Sequence, residues 1–237
     1  MKLLATTALL AASLGSALGS AQVSAQDLSV TITNLTHGMA FTPVLVAAHT
    51  SSGNLYDVGV AASSSLQAMA EGGSLTGLQS DLDGISATHD NSGAVLMAGS
   101  SATVALNTDG ASANTKLSVV SMLLPTNDAF LGLDSVDIPT AEGTYVFYLN
   151  AYDAGTEAND ELITGGGTPG VSGIPADPGG MAGSGGSGGV AGADQNTAVH
   201  VHRGAIGDSN STGGNSDLNN TVHRWLNPVA RVTVVVN

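Results

Sequence analysis

Cysteine is absent from the 237 residues. That excludes a disulfide framework, a thiolate zinc or iron–sulfur site and a cysteine nucleophile, whatever the redox state of the compartment. Any metal must be held by oxygen or imidazole. Basic side chains are nearly as scarce, with 5 Lys plus Arg against 19 Asp plus Glu and a formal charge of −14. Nucleic acids, anionic lipids and glycosaminoglycans draw affinity from Lys and Arg, so none of them is expected as a partner. Aromatics make up only 3% of the chain. A paired-carboxylate glycosidase needs two carboxyl groups about 5 to 10 Å apart in an aromatic-lined cleft, which three Phe, four Tyr and one Trp are poorly placed to build. No Ser-His-Asp arrangement stands out either, and the sequence reads as that of a non-enzyme.

Long apolar runs are missing beyond the first residues, so no membrane insertion is expected. At the N-terminus, Lys2, the apolar residues 3–18 and the small triplet Val23-Ser24-Ala25 predict a signal peptide over 1–25, cleaved before Gln26. The mature chain then carries 4 basic and 19 acidic residues, −15, and is exported to a periplasm, a cell surface or the medium. Residues 26–237 are expected to form one domain, since 42% apolar residues is ordinary for a globular chain.

The mature chain reads as all-β. Leu28, Val30 and Ile32 alternate with Ser29, Thr31 and Thr33, the period of a half-buried strand. Further strands are predicted at 42–48, 94–98, 102–106, 117–124, 144–151, 197–203 and 229–236. One short helix is predicted at 64–71, where Leu66, Met69 and Ala70 recur at helical spacing before Gly72-Gly73. Eight short strands punctuated by turns predict an antiparallel sandwich. Residues 165–192, with 13 glycines in 28 positions, predict a flexible insertion between two strands. The dinucleotide-like and nucleophile-elbow-like patterns inside it neither follow a strand nor open a helix, so they carry no chemistry.

Carboxylates supply the informative chemistry. Asp128 follows the strand at 117–124, and Asp153 and Glu157 follow the strand at 144–151. If both strand ends share one rim, these acids converge, and calcium, which takes about six to eight oxygens in irregular geometry, is the natural counter-ion. Read from the residues alone, acidic loops that are simply solvated remain the alternative. His200 and His202, two apart on a predicted strand, point to one face and form a candidate copper or zinc pair with His37, His49 or His223; hydrogen bonding at a rim is the plainer reading. His89 is expected on a surface turn, Trp225 as an anchor of the last strand, and Glu71 either as a structural acceptor or as a further rim acid.

The stretches SMLLPTNDAFLGLDSVD (121–137), GTYVFYLNAYDAGTE (143–157) and NPVARVTVVV (227–236), with NLT, FTP and LQAMAEGG upstream, resemble the spondin domain at the amino end of F-spondin and mindin, in a bacterial secreted version. The resemblance covers nearly all of 28–236 apart from the glycine stretch. It implies a C2-like eight-stranded antiparallel β-sandwich with one short helix and a long glycine-rich loop. It also implies calcium held by Asp128, Asp153 and Glu157, and a secreted interaction or adhesion module. The animal relatives are cysteine-bearing matrix proteins that adhere to cells, integrins and in some cases glycosaminoglycans. None of those partners carries over, and the partner is left as an extracellular protein or surface ligand. The alternative is a periplasmic metal-binding protein, or a metal-dependent enzyme, using His200 and His202.

Overall fold

The computed structural model describes residues 26–188 and 197–237. The expected signal peptide, and residues 189–192 of the glycine stretch, lie outside the described residues. The strands are β1 (Asp27–Asn34), β2 (Ala40–Phe41), β3 (Leu45–His49), β4 (Thr88–Asn91), β5 (Ser101–Asn107), β6 (Lys116–Leu124), β7 (Ala129–Asp137), β8 (Gly143–Asp153), β9 (His200–Val201) and β10 (Ala230–Val236). Two helices, α1 (Ser64–Gly72) and α2 (Thr76–Gly84), separate β3 from β4. Neither is long and apolar enough to cross a membrane.

Eight strands form one antiparallel path, β4-β3-β6-β7-β8-β10-β1-β5, with β2 added to β6 and β9 to β8. The eleven-residue β8 makes the sandwich. Its first part, 143–149, pairs with β10, and its last part, 150–153, pairs with β7. A strand that changes partners along its length turns the sheet over on itself, and the two ends of the path, β4 and β5, come into contact.

Between the two leaves lie Leu28, Val30 and Ile32 of β1, Val232, Val234 and Val236 of β10, and Val119, Leu123 and Leu131 from the opposite leaf. The other side of β3 and β6 is covered by the helices: Leu45, Val120 and Met122 meet Leu66, Met69, Leu78 and Leu82. β6 is therefore buried on both faces, which is why its sequence is a nearly continuous apolar run rather than an alternation. α1 starts where the Ser63 hydroxyl accepts the Leu66 N–H at 3.1 Å. It stops at Gly73, whose φ of +71° no β-carbon would favour and whose N–H reaches the Met69 carbonyl at 2.8 Å.

The all-β antiparallel sandwich is thus observed, with differences in detail. Residues 94–98 make only a single bridge, Leu96 to Phe41, and the expected strand at 197–203 shrinks to His200–Val201. Their places in the path are taken by β4 and β7, both unread in the sequence. β7 begins buried on both sides and then runs through Gly132 and Asp134, so it never shows a clean period of two. The second helix was hidden because glycines stand near both its ends and only Leu78 and Leu82 face the core.

Composition predicts a flexible insertion at 165–192, yet the described part is held at many points. Ile174 is fully buried in the inter-leaf core. Gly170 N–H donates to the Glu71 carboxylate at 2.7 Å, and Gly185 and Gly186 N–H donate to Asp217 at 2.8 and 2.7 Å. Counting apolar surface missed these bonds, because here bare backbone amides serve as the counterparts of carboxylates. Glu71 is accordingly a buried acceptor, held also by Gln67 at 2.8 Å. A β-carbon at Gly72 would stand 2.0 Å from the Gly167 carbonyl oxygen, whereas one at Gly84 would meet nothing within 4 Å. Gly72→Ala is expected to cost about 1 to 3 kcal/mol in chemical denaturation, with Gly84→Ala as the harmless control.

Candidate functional site

The register between β7 and β8 builds the site. Ala129 pairs with Asp153, so the residue before β7, Asp128, lies against the residues that follow β8, and Ala154 N–H donates to the Asp128 carbonyl at 3.2 Å. The approach to Asp128 is a tight turn in which the Thr126 hydroxyl donates to the Leu123 carbonyl at 2.6 Å and accepts the Ala129 N–H at 3.2 Å. After β8 the chain bends at Gly155, φ +71°. A β-carbon there would collide with the Ala198 backbone at 2.6 Å, so glycine is required twice over.

All three acids singled out by the sequence sit in this loop cluster. One oxygen of Asp128, Oδ2, accepts the N–H of Thr156 at 2.8 Å, its hydroxyl at 3.2 Å and the N–H of Glu157 at 3.0 Å. Asp153 Oδ1 accepts Gly155 N–H at 2.8 Å, and Oδ2 accepts the Asn159 amide at 2.7 Å. Glu157 Oε2 accepts Gly173 N–H at 3.1 Å and the Asn127 amide at 3.3 Å. The remaining oxygens of two of them, Asp128 Oδ1 and Glu157 Oε1, are buried without a hydrogen-bond partner. Burial, with the neighbouring Asp153 adding to it, pushes the Asp128 carboxyl well above the usual range. Glu157 is pushed up to about 7, by burial first and then by Glu71 and Asp160. Among the described residues, no group of three or more acidic or imidazole side chains stands close enough together to hold a metal ion as placed. What the loops offer is two orphaned carboxyl oxygens, Asp128 Oδ1 with Asp153 beside it and Glu157 Oε1 with Glu71 and Asp160 near it, donors of the hard oxygen kind that calcium takes with carbonyls and water.

The histidine pair is not a separate site. His200 Nδ1 lies 3.7 Å from Asp153 Oδ1 and His202 Nε2 lies 3.9 Å from Asp153 Oδ2, so both imidazoles flank the carboxylate of the acidic cluster. His202 Nδ1 accepts the Gly204 N–H at 3.0 Å. The proton of the neutral ring is then on Nε2, facing Asn159 Oδ1 at 3.2 Å, and neither ring nitrogen offers a metal its lone pair without giving up a bond. The other histidines stand elsewhere. His49 is buried between the Thr50 carbonyl and the Ser118 hydroxyl. His223 accepts the Asn219 N–H and is held neutral by burial. His37 is exposed. His89 is not on an open turn but half-covered on β4, 3.0 Å from Asp83. Trp225 is buried, 5.1 Å from the His202 ring.

Sequence reasoning passed over the residues that brace the cluster. Asn127 spans it, donating to Glu157 and, at 2.9 Å, to Asp160, while its carbonyl oxygen accepts the Glu161 N–H at 3.2 Å. The buried Glu161 carboxylate accepts Ile206 N–H at 2.6 Å, Gly207 N–H at 2.8 Å and the Ser216 hydroxyl at 2.6 Å. No local pattern announces this role, because its partners lie about 45 to 55 residues away.

Comparison with protein families finds that the Spondin_N model matches residues 33–161, more than half of the chain. The match spans both carboxylate segments and stops before the glycine stretch, a shorter reach than the motifs at 227–236 suggest. A comparison with curated proteins finds no match.

Proposed function

The chain belongs to the spondin N-terminal domain family, and from that membership we propose that it works as an exported interaction module whose loop rim is set by calcium. The observation that carries the calcium reading is the pair of buried, unpartnered oxygens on Asp128 and Glu157. An unpaired buried polar atom is costly, and two of them, on acids with other carboxylates near (Asp153 beside Asp128, Glu71 and Asp160 near Glu157), call for protons or a cation. Asp128, Asp153 and Glu157 would hold the ion. When bound, it would neutralise the cluster and lock the turn at 125–128 to the turn at 154–157, so that the rim keeps one shape for a partner. The reading assigns no catalytic role to any residue.

The test is a thermal melt of the chelated protein, followed by Trp225 fluorescence and repeated with calcium, magnesium, zinc and copper. Calcium at about a thousand times its dissociation constant is expected to add about 4 kcal/mol, and Asp128→Asn is expected to abolish the increment. A selective rise with copper or zinc, lost in His200→Ala, would favour the second reading instead, for which the two imidazoles beside Asp153 are the supporting observation. No response to any of the four metals would leave the acids as an amide-braced loop cluster and remove the calcium reading.

A further inference from the structure

Three of the four tyrosines of this aromatic-poor chain meet in one place. A cleft of about 350 Å3, on the outer side of β7 and β8, is lined by Tyr56, Tyr148, Tyr152, Asp57, Asp134 and Asn150, together with Gly132 and neighbouring apolar residues. Its wall on β8 follows from strand geometry, since Tyr148, Asn150 and Tyr152 alternate with the buried Leu149, Ala151 and Asp153. Its other wall is Tyr56, which lies directly over Gly132. A β-carbon at Gly132 would stand 2.5 Å from the Tyr56 hydroxyl oxygen, so the glycine in β7 makes the room that the ring occupies. Tyr56 is fixed there, with ring centroids 5.1 Å from Phe130 and 5.1 Å from Tyr152. Tyr148 is the open member, 62% exposed.

The charges in the lining are all of one sign. Asp134 is held rigidly by Leu55 N–H at 2.7 Å, the Ser118 hydroxyl at 3.1 Å and the Ser135 hydroxyl at 2.6 Å, and Asp57 is anchored by the Asn54 amide at 2.6 Å. No Lys, Arg or His is among the described lining residues. Burial, Tyr152 and Asp134 hold the Tyr56 hydroxyl in its protonated form far above its usual titration range, so the ring remains a neutral phenol. Aromatic rings with fixed carboxylates around them and no base in the lining attract a cation whose surface is largely apolar. The volume is at the small end of small-molecule sites.

We infer that the Tyr56–Tyr148–Tyr152 cleft is a binding site for a small soluble quaternary ammonium compound. The site is separate from the acidic loop cluster and does not depend on whether that cluster binds calcium. One cation stands near: Arg231 on β10 is exposed and directly across from Tyr148 in the register. Its charge opposes a cationic guest, which gives the electrostatic argument a sign that can be tested.

The experiment is a titration of the mature protein at low salt with choline, with its neutral isostere 3,3-dimethylbutan-1-ol, and with glucose, followed by the tyrosine ring resonances. Choline is expected to shift the Tyr148 resonances saturably, and the isostere to bind about tenfold more weakly or worse. Tyr148→Ala, at an exposed position that leaves the core intact, is expected to weaken choline by about fivefold, with an unchanged melt. Arg231→Gln is expected to tighten it. Equal binding of the isostere would make the cleft merely apolar, preference for glucose would make it a sugar site, and saturable binding of none of the three would mean no site. Each of these results, or an Arg231→Gln variant that binds choline no better, overturns the inference.

Discussion

In the presence of chelator, the protein is expected to gain stability as the pH is lowered from about 7 toward about 4.5, the opposite of ordinary acid denaturation. Glu157 has an ordinary value of 4.5 and is pushed up to about 7 in the fold, and Asp128 is displaced in the same direction by burial and by Asp153. Between the unfolded and folded values the native state binds more protons than the unfolded chain, so stability falls as pH rises through this window. The protonated forms give Asp128 Oδ1 and Glu157 Oε1 the neutrality that no partner supplies. With Glu157 discounted for its partial exposure, the gain is on the order of 2 kcal/mol, or roughly 4 to 8 °C in the melt. His223 works against it, because burial holds it below its ordinary 6.5 and its stabilisation is lost as the unfolded chain takes up protons. Lower still, Asp208 adds to that opposition: the N–H groups of Ser216, Asn210 and Asn215 depress it, and its contribution disappears as pH falls through that depressed value. The decisive measurement is therefore the difference between wild type and Asp128→Asn in the presence of chelator. The wild type should show the steeper rise toward low pH, and parallel profiles would mean that Asp128 titrates normally.

The strands and the acids were legible, but the contacts between them were not. β1, β5, β6, β8 and β10 announced themselves because each is a run of β-branched and apolar residues between turn signals, and α1 because a helical spacing runs up to the stop at Gly72-Gly73. What a sequence does not carry is register. The pairing of Ala129 with Asp153 decides that Asp128 meets Thr156 and Glu157 rather than solvent, and nothing within either segment specifies it. The same holds for His200 and His202, whose shared face was readable from their spacing but whose common neighbour, Asp153, was not. The glycine stretch is a different case. Its composition correctly reports that few large side chains are present to bury, yet its backbone amides can donate to carboxylates, so a segment with few apolar residues is pinned by Glu71, Glu157 and Asp217. This also accounts for how so acidic a chain tolerates its acids. Several of the buried carboxylates take backbone N–H donors where a more basic protein would place Lys or Arg.

Glu161→Ala should be the most damaging single substitution in this network. The residue is 6% exposed, and its carboxylate accepts two backbone N–H groups and one hydroxyl from the loop at 206–216. Its own N–H and carbonyl are tied to Asn127 and Asp217. Truncation leaves one buried hydroxyl and two partly buried N–H groups without their acceptor, and a loss of about 3 kcal/mol is expected, or roughly 6 to 12 °C in the melt. Glu161 also holds a φ of +57°, a conformation that costs a residue with a β-carbon about 1 kcal/mol. Glu161→Gly loses the same bonds but relieves that strain, so it should melt above Glu161→Ala, reversing the order expected in an extended or helical segment. If Glu161→Ala instead melts within about 2 °C of wild type, the three donors have found water, and the loop at 206–216 is held by Asp208 and Asp217 without it.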